Sequence, residues 1–376
     1  MKGTDILITG GYGTVGRRVA ADLAPDYPGR VVVAGRSAEK AAQLTVELAH
    51  GVRGRRVDVG EPLSVEAALE GVGVVLSCID QAEPHLLRAA IRRGLAYTDI
   101  APHLMTRRPT EAMKAKATQT GARIVLGAGL APGISSMLAL LGADHLGSQT
   151  VESVASNVLL SVGDTYGPAS RAYIMEEIAL PYAVRIEGRE VPTWAFAGSA
   201  RVDFPPPLSE RRAYLFPFSD QVFFPETLGA RTALSRLVLE PPWLGMLLLA
   251  LVRLRVTAVL RRRAGSQEQL QRLNTWLQRR YEGRDWYGVV VEVEGTRGQI
   301  RVSLVGRGQA SGTAIGAAAV VRALLKGEVK QPGIWLAEQV VPPESFFEHL
   351  AARGLVPTFE ARLEDSHIVQ HGKDGR

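Results

Sequence analysis

Six consecutive residues, Gly11-Tyr12-Gly13-Thr14-Val15-Gly16, set three glycines at G-x-G-x-x-G spacing. Gly11 permits a tight turn, Gly13 lets a backbone approach a pyrophosphate, and Gly16 lets a helix pack on the strand before it. The N–H groups that open that helix then bind phosphate oxygens. The spacing alone is weak. Its value rises because an apolar run, Asp5–Thr9, precedes it and a helical segment follows. Where a dinucleotide site would place a ribose-binding carboxylate, the chain has Gly35-Arg36-Ser37, with Lys40 nearby. A guanidinium pairs with a 2′-phosphate and stacks on adenine, whereas a carboxylate repels that phosphate. NADP(H) is therefore the expected cofactor; the alternative is a solvated Arg36 and an NAD site. Asp58-Val59 is expected near the adenine and Ser77-Cys78 near the ribose.

Hydride transfer also needs a positioned acceptor and often a proton donor. Asp80 and His85 follow the fourth apolar run, and Tyr97, Asp99 and His103 lie at or after the fifth. All fall at the carboxyl edge of a parallel sheet, where ligands bind. Tyr97 and Asp99 are assigned to opposite faces of their strand, so at most one is expected to face the site. His103 would titrate near neutrality. Farther on, Asp164, Tyr166, Tyr173 and Glu177 lie near Gly163 and Gly167, where a loop and helix start could close over a nicotinamide. The catalytic candidates are thus His103, Tyr97, Asp99 and Tyr173, each with a cap or surface group as its plain alternative. Cys78 reads as a small buried hydrophobe, not a nucleophile. The seven histidines are scattered and one cysteine cannot build a zinc site, so no metal is expected. There is no G-x-S-x-G elbow, no P-loop, and no Tyr-x-x-x-Lys pair after the fourth or fifth run.

The elements that must position these groups are legible as alternation. Asp5–Thr9, Val31–Ala34, Arg55–Val57, Val74–Cys78, Ala96–Asp99 and Arg123–Leu126 are predicted strands, with helices between them. Ser37 can cap a helix over Ala38–Leu48, Ser64 one over Val65–Leu69, and Pro25 ends the first helix near Leu23. Six such strands fit an α/β doubly wound parallel Rossmann sheet in the order 3-2-1-4-5-6. From Val151 the character changes. Val151–Val162 and Tyr182–Glu187 read as strands, whereas Trp194–Pro225 is so rich in proline that regular structure is not expected. Its aromatics read as core and interface groups, with a wall for an apolar substrate as the second reading. A helical region covers 243–282, with a capping box at Ser266 and Gln269. Val289–Val293 and Ile300–Leu304 alternate across Gly295–Gly298 as a hairpin. A last helix, Thr313–Lys326, is placed back on the first domain, and the chain from Asp365 reads as a polar tail.

The glycine turn, Ala34–Ser37, the Leu76–Ile79 strand end, Gly94-x-x-Tyr97-x-Asp99 and Gly127–Gly133 (GAGLAPG) together resemble the saccharopine dehydrogenase-like oxidoreductases. The likeness is best over the first 140 residues or so. It implies a Rossmann domain, an inserted α+β substrate or dimerisation domain, and a C-terminal segment returning to the first. The family includes saccharopine reductases, imine-reducing polyamine synthases and enoyl reductases. Saccharopine reductases carry acidic residues around the Pro-Gly turn, where this chain has Ala131 and Ser135, so a substrate ammonium group loses its partner. The expected division is 1–135, 136–308, 309–345 and an extension over 346–376. The expected function is hydride transfer from NADPH to a C=N or C=C bond of a small organic substrate, with a tilt toward an apolar one; the alternative is a non-catalytic NADP-binding sensor or scaffold.

The chain has 376 residues and a net charge of +6, with 37 arginines among its 44 basic residues. One cysteine excludes an intrachain disulfide and favours a reducing compartment. No targeting signal is read at the N-terminus, and a cytoplasmic homo-oligomer is expected. The longest apolar stretch, Leu244–Val252, is about half of what spans a bilayer. Arg253, Arg255 and Arg261-Arg262-Arg263 follow it. Residues 243–284 hold nine arginines and two glutamates, and the rest of the chain nets −1, so a nucleic-acid partner is not expected. Arg253 and Arg255 fall about 200° apart on a helical wheel. A helix buried at a domain or dimer interface is therefore preferred there over contact between 243–263 and a membrane surface.

Overall fold

The apolar runs of the N-terminal third become parallel strands: β1 (Asp5–Thr9), β2 (Val31–Gly35), β3 (Arg53–Arg56), β4 (Val72–Ser77), β5 (Ala96–Asp99) and β6 (Arg123–Leu126). Helices α1 (Gly16–Leu23), α2 (Ala38–Leu48), α3 (Pro62–Ala68), α4 (His85–Arg92) and α5 (Glu111–Thr120) connect them. β1 is central, with Ile6 beside Val31 on β2 and Ile8 beside Leu76 on β4. The sheet follows the expected order and gains a seventh strand, Gly333–Leu336, paired in parallel with β6. The computed structural model describes residues 3–81, 83–100, 109–147, 150–164, 173–174, 176–178, 180–253, 276, 278–296 and 298–363. His103, Tyr166, the Ser266–Gln269 capping box, Arg255, Arg261–Arg263 and the tail from Asp365 lie outside them.

A second sheet carries β7 (Val151–Ser161), β8 (Pro181–Ile186), β9 (Arg189–Trp194), β10 (Ser199–Val202), β11 (Arg211–Leu215), β12 (Thr232–Glu240), β13 (Trp286–Gly295) and β14 (Gly298–Arg307). The strand on the first sheet is then β15, and β16 (Thr358–Leu363) closes the far edge of the second. Its main path runs β10-β11-β12-β7-β13-β14-β16, with β8 joining β12 to β9. β7 is central and pairs in parallel with β12 and antiparallel with β13. Helix α6 (Ile134–Leu146) and the helix Gln309–Lys326 are lined by small residues and share one apolar core with both sheets.

Several local expectations change. Ser64 does not cap α3; the helix starts at Pro62, and the Ser64 hydroxyl accepts the Asp58 N–H instead. The proline-rich stretch contains β10, β11 and a helix, Asp220–Thr227. Its prolines sit in the links, with Pro205–Pro207 between β10 and β11 and Pro217 before the helix; Pro225 alone falls inside one. The last helix starts four residues earlier than expected, at Gln309. The helix Pro242–Arg253 is not buried all round: it packs on β12 and leaves Trp243, Met246 and Leu247 exposed.

A salt-bridge cluster fixes the returning segment. The Arg322 guanidinium binds Asp22 at 2.9 Å and Asp26 at 2.5 Å, Arg353 binds Asp22 at 2.5 Å, and His349 Nε2 lies 3.2 Å from the same carboxylate. Burial alone would raise the Asp22 pKa; the His349 contact and the two guanidiniums outweigh it and hold the carboxyl down at about 2. α1 and the 309–326 helix are thereby locked side by side.

Candidate functional site

A cavity of about 740 Å³ opens along the carboxyl edge of the first sheet. One end is lined by Gly10, Tyr12, Gly13, Thr14, Val15 and Gly16. Gly16 is required there by close approach, because a Cβ on it would stand 2.3 Å from the Gly10 carbonyl oxygen. The turn is closed by the Gly13 N–H on the Gly10 carbonyl at 2.8 Å and by the Gly11 N–H on the Ala34 carbonyl at 3.0 Å. Gly11 itself packs against Val33 behind the lining. In α1 the Arg17 and Arg18 N–H groups already bond the Gly13 and Val15 carbonyls, so the donors facing this end are those of the turn just before them.

The tip of β2 is organised by Tyr12. Its ring lies over Gly35, where a Cβ would meet ring atoms at 2.6 Å, and its hydroxyl accepts the Ser37 N–H at 3.1 Å. Ser37 sits outside the described lining and caps α2 by accepting the Lys40 N–H at 3.2 Å. Arg36 is exposed and lines the cavity, as do Asp58 and Val59. Asp58 holds its own loop by accepting the Gly60 N–H at 3.0 Å.

At the end of β4, Cys78, Ile79 and Asp80 line the cavity. Ser77 stands behind them: its hydroxyl donates to the Ile79 carbonyl at 3.1 Å and accepts from Thr9 at 3.3 Å. Burial and the neighbouring Asp99 charge push the Cys78 thiol up to about 12. It is therefore a neutral wall group at physiological pH.

Tyr97 and Asp99 share a face, contrary to expectation, because residues two apart on a strand point the same way. The Tyr97 hydroxyl donates to Asp99 Oδ2 at 3.3 Å, and burial with that carboxylate raises its pKa well above the usual range. Neither residue is in the described lining. Asp99 acts on the site through the backbone: its Oδ1 accepts the Gly127 N–H at 3.1 Å, and its carbonyl accepts the Ala128 N–H at 2.7 Å. That anchors the 127–133 loop, whose Gly127, Gly129, Leu130, Ala131 and Pro132 form the next wall. His85 starts α4, away from the lining.

The remaining wall comes from distant segments, of which sequence reasoning offers only Phe218, as a second reading of the proline-rich stretch. β7 contributes Val158 and Leu160, the 309–326 helix contributes Gln309, Ala310 and Thr313, and Ile100, Ile174 and Phe218 complete it. Tyr173 lines the same end, and its hydroxyl donates to the Pro217 carbonyl at 2.9 Å. Among the other aromatics of the proline-rich stretch, Phe196 packs at a tilt on Tyr214, and Phe216 packs against both Phe218 and Tyr173. Thr313 is buried, and its hydroxyl has no hydrogen-bond partner among the described residues. A buried orphan hydroxyl in a cavity wall is a ready contact for a polar ligand group. The cradle at Gly10–Gly16, the cation at Arg36 and this hydroxyl fit a dinucleotide lying along the sheet edge. Among the described residues no His, Cys, Asp and Glu cluster could hold a metal ion.

Residues 6–125 match the family model described as the saccharopine dehydrogenase NADP binding domain. The whole chain superimposes on apo saccharopine dehydrogenase (L-Glu forming) from Saccharomyces cerevisiae, with a TM-score of 0.68, 16% identity, and coverage of 96% of this chain and 100% of that one. At that identity the likeness concerns the fold. A putative myo-inositol dehydrogenase from Sinorhizobium meliloti (TM-score 0.46, 13% identity, 93% and 94% coverage) and GenD2 from gentamicin A biosynthesis in complex with NAD (0.42, 15%, 96% and 97%) are too distant to inform the geometry. Residues 6–125 thus match the saccharopine dehydrogenase NADP binding domain, which supports a nicotinamide-dinucleotide site, and the chain as a whole shares the fold of saccharopine dehydrogenase.

Proposed function

We propose that the protein is an NADPH-dependent reductase acting on a C=N or C=C bond of a small, uncharged and largely apolar molecule. The observation that carries this reading is the continuity of one cavity from the glycine turn to an apolar end. That end is walled by Leu130, Ala131, Val158, Leu160, Ile174 and Phe218. The described charged residues of the lining, Arg36, Asp58 and Asp80, all follow strands β2, β3 and β4 on the side of the glycine turn. Among the described lining residues a charged substrate would meet no charged partner at the apolar end, at a cost of several kcal/mol.

Reduced nicotinamide supplies the hydride. The chain's own residues bind and orient: α1 and Arg36 hold the phosphates, the 127–133 loop fixes the floor, and Thr313 donates to or accepts from a polar group. The apolar end excludes water around the acceptor carbon. Of the two phenols in the described lining, Tyr12 stands at the glycine turn and Tyr173 at the apolar end. Burial, with Glu177 and Asp220 nearby, raises the Tyr173 pKa well above the usual range, so it stays protonated, and its hydroxyl, which donates to the Pro217 carbonyl, can orient a substrate group by accepting a hydrogen bond. The division into a cofactor domain (1–135), an inserted substrate domain (136–308), a returning segment (309–345) and an extension belongs to the same proposal.

The test is NADPH oxidation against matched enoyl, imine and amino-acid-derived imine substrates, with Tyr173→Phe alongside. Turnover of uncharged substrates and little of zwitterionic ones is expected. Efficient turnover of a zwitterion, or NADPH binding with no turnover of any class, overturns the reading; the second result would favour a cofactor sensor.

A further inference from the structure

The helix Pro242–Arg253 reads PWLGMLLLALVR and carries no charge before its last residue. Its inward side packs on β11 and β12 through Leu244, Leu248, Leu249 and Val252. Gly245 meets the Tyr214 ring so closely that a Cβ would stand 2.8 Å from it. The outward side carries Trp243, Met246 and Leu247, which are 38%, 57% and 42% exposed. A surface helix of a globular protein normally turns polar residues outward. This one turns out an apolar stripe, and Trp276, 56% exposed, adds a further bare aromatic in the same chain segment.

Basic groups border the stripe. The Trp243 indole N–H donates to the Tyr281 hydroxyl at 3.1 Å. The guanidiniums of Arg280 and Arg284 lie 5.7 and 5.8 Å from the centroid of the Tyr281 ring. Arg279, Arg280 and Arg284 are all exposed. The juxtaposition is an apolar face, two aromatics with polar tips at its edge, and cations beyond them. In sequence, the segment 243–284 that contains this helix carries a net charge of +7, against −1 for the rest of the chain.

We propose that this face docks on an anionic lipid bilayer, with the 242–253 helix lying in the plane of the interface. Tryptophan and tyrosine favour the headgroup level, where one end of the ring is apolar and the other wet. Arginines reach past the stripe to lipid phosphates. The helix has 12 residues and rises about 18 Å, short of a hydrocarbon core of about 30 Å, so it rests on the membrane and does not cross it. Among the described residues no helix is long and apolar enough to cross. A second copy is disfavoured as the occupant. A two-fold interface sets the same patch against itself, here like charge against like charge. A nucleic acid would match the charge and leave Trp243, Met246 and Leu247 in water.

The experiment floats the full chain, loaded with NADPH, with vesicles of phosphatidylcholine and phosphatidylglycerol in equal parts, or of phosphatidylcholine alone. At least tenfold greater partition into the anionic vesicles is expected, falling as salt is raised. Arg280→Gln with Arg284→Gln should cost about fivefold each, since one basic group near an anionic surface is worth about 1 kcal/mol. Met246→Glu with Leu247→Glu should abolish flotation while Tm and NADPH affinity hold, because both side chains already face water. No flotation overturns the proposal, as does equal flotation with both vesicle types or flotation that survives the double glutamate variant. A wild-type dimer that this variant converts to monomer, without vesicle binding, would assign the face to a second copy instead.

Discussion

Arg36→Asp gives a decisive test of cofactor choice. Arg36 lies in the cavity lining directly after Gly35, and among the described residues it makes no ion pair that the substitution would break. An exposed change of this kind costs about 0.5 kcal/mol of stability or less, so Tm should hold. A guanidinium on a 2′-phosphate is a charge-assisted contact worth about 1.5–3 kcal/mol. The side chain is exposed, which places the value near the lower half, about 2 kcal/mol or roughly 30-fold in Kd. The new carboxylate adds repulsion of about 1 kcal/mol per unit charge at 4 Å in water. The total is on the order of a hundredfold weaker NADPH binding, with NADH changed by less than about threefold because it lacks the phosphate. The assay is a titration of nicotinamide fluorescence with each cofactor at low and at high salt. The NADPH loss should shrink as salt rises. Equal losses for NADPH and NADH, or an unchanged NADPH affinity, would refute the assignment of Arg36 to the 2′-phosphate.

Three further substitutions probe the scaffold around the cavity. Gly16→Ala places a Cβ 2.3 Å from the Gly10 carbonyl, so the turn must shift; a stability loss of about 1–3 kcal/mol and loss of NADPH binding are expected by thermal melt and titration. Asp22→Asn removes a carboxylate whose pKa is held at about 2, and should cost about 2 kcal/mol at pH 7. The wild type holds that stability above the unfolded value near 4 and loses it as pH falls toward 2, so the two melting curves should converge in acid. Glu338 moves the other way. Burial, reinforced by the Asp220 charge, raises it to about 7. The folded chain then holds a proton that the unfolded chain releases, and stability falls as pH rises from about 4.5 through 7. Glu338→Gln should therefore raise Tm at pH 8 and leave it near wild type at pH 5, and an unchanged Tm at pH 8 would contradict the buried-carboxylate argument.

The parts legible in the sequence are those where one local signal decides. The Ser37 cap fixes α2 at Ala38–Leu48, and the glycine spacing after β1 locates the turn that lines the cavity. β3 was harder to bound because it is the edge strand, with three of its four residues exposed and two of its arginines paired to Asp5. The proline-rich stretch misled because proline density marks breaks between elements as well as their absence, and β10 and β11 are short enough to fit between the breaks. Val158 and Leu160 were invisible as site residues for a different reason. Their alternation on β7 is that of any core strand, and only the register with β12 and β13 says what they face. Thr313 sits within an alanine-rich helix, and its orphan hydroxyl becomes significant only when that helix is seen to start in the cavity.

The origin of each wall follows from how the chain returns. On the proposed reading the described groups that would handle phosphate come from the sheet edge and α1, and these lie within 130 residues or so of contiguous sequence. The apolar end, where the proposed acceptor would sit, is assembled from β7, the helix after β14 and the loop before α6, with Ile100, Tyr173, Ile174 and Phe218. The 309–326 helix bridges the two, because its first turn lines the cavity and its last turns carry Arg322 into the Asp22 cluster on α1. Arg18 on α1 also donates to Ser311 at the start of that helix, at 3.1 Å. A shift of the helix along its axis would therefore break charged contacts at one end and move Gln309, Ala310 and Thr313 at the other. Substrate selection in this fold can thus change through β7 and the 127–133 loop without touching the phosphate cradle. The returning helix is the element that both ends share, so a substitution at Asp22, which lines no part of the cavity, should alter substrate KM as well as stability.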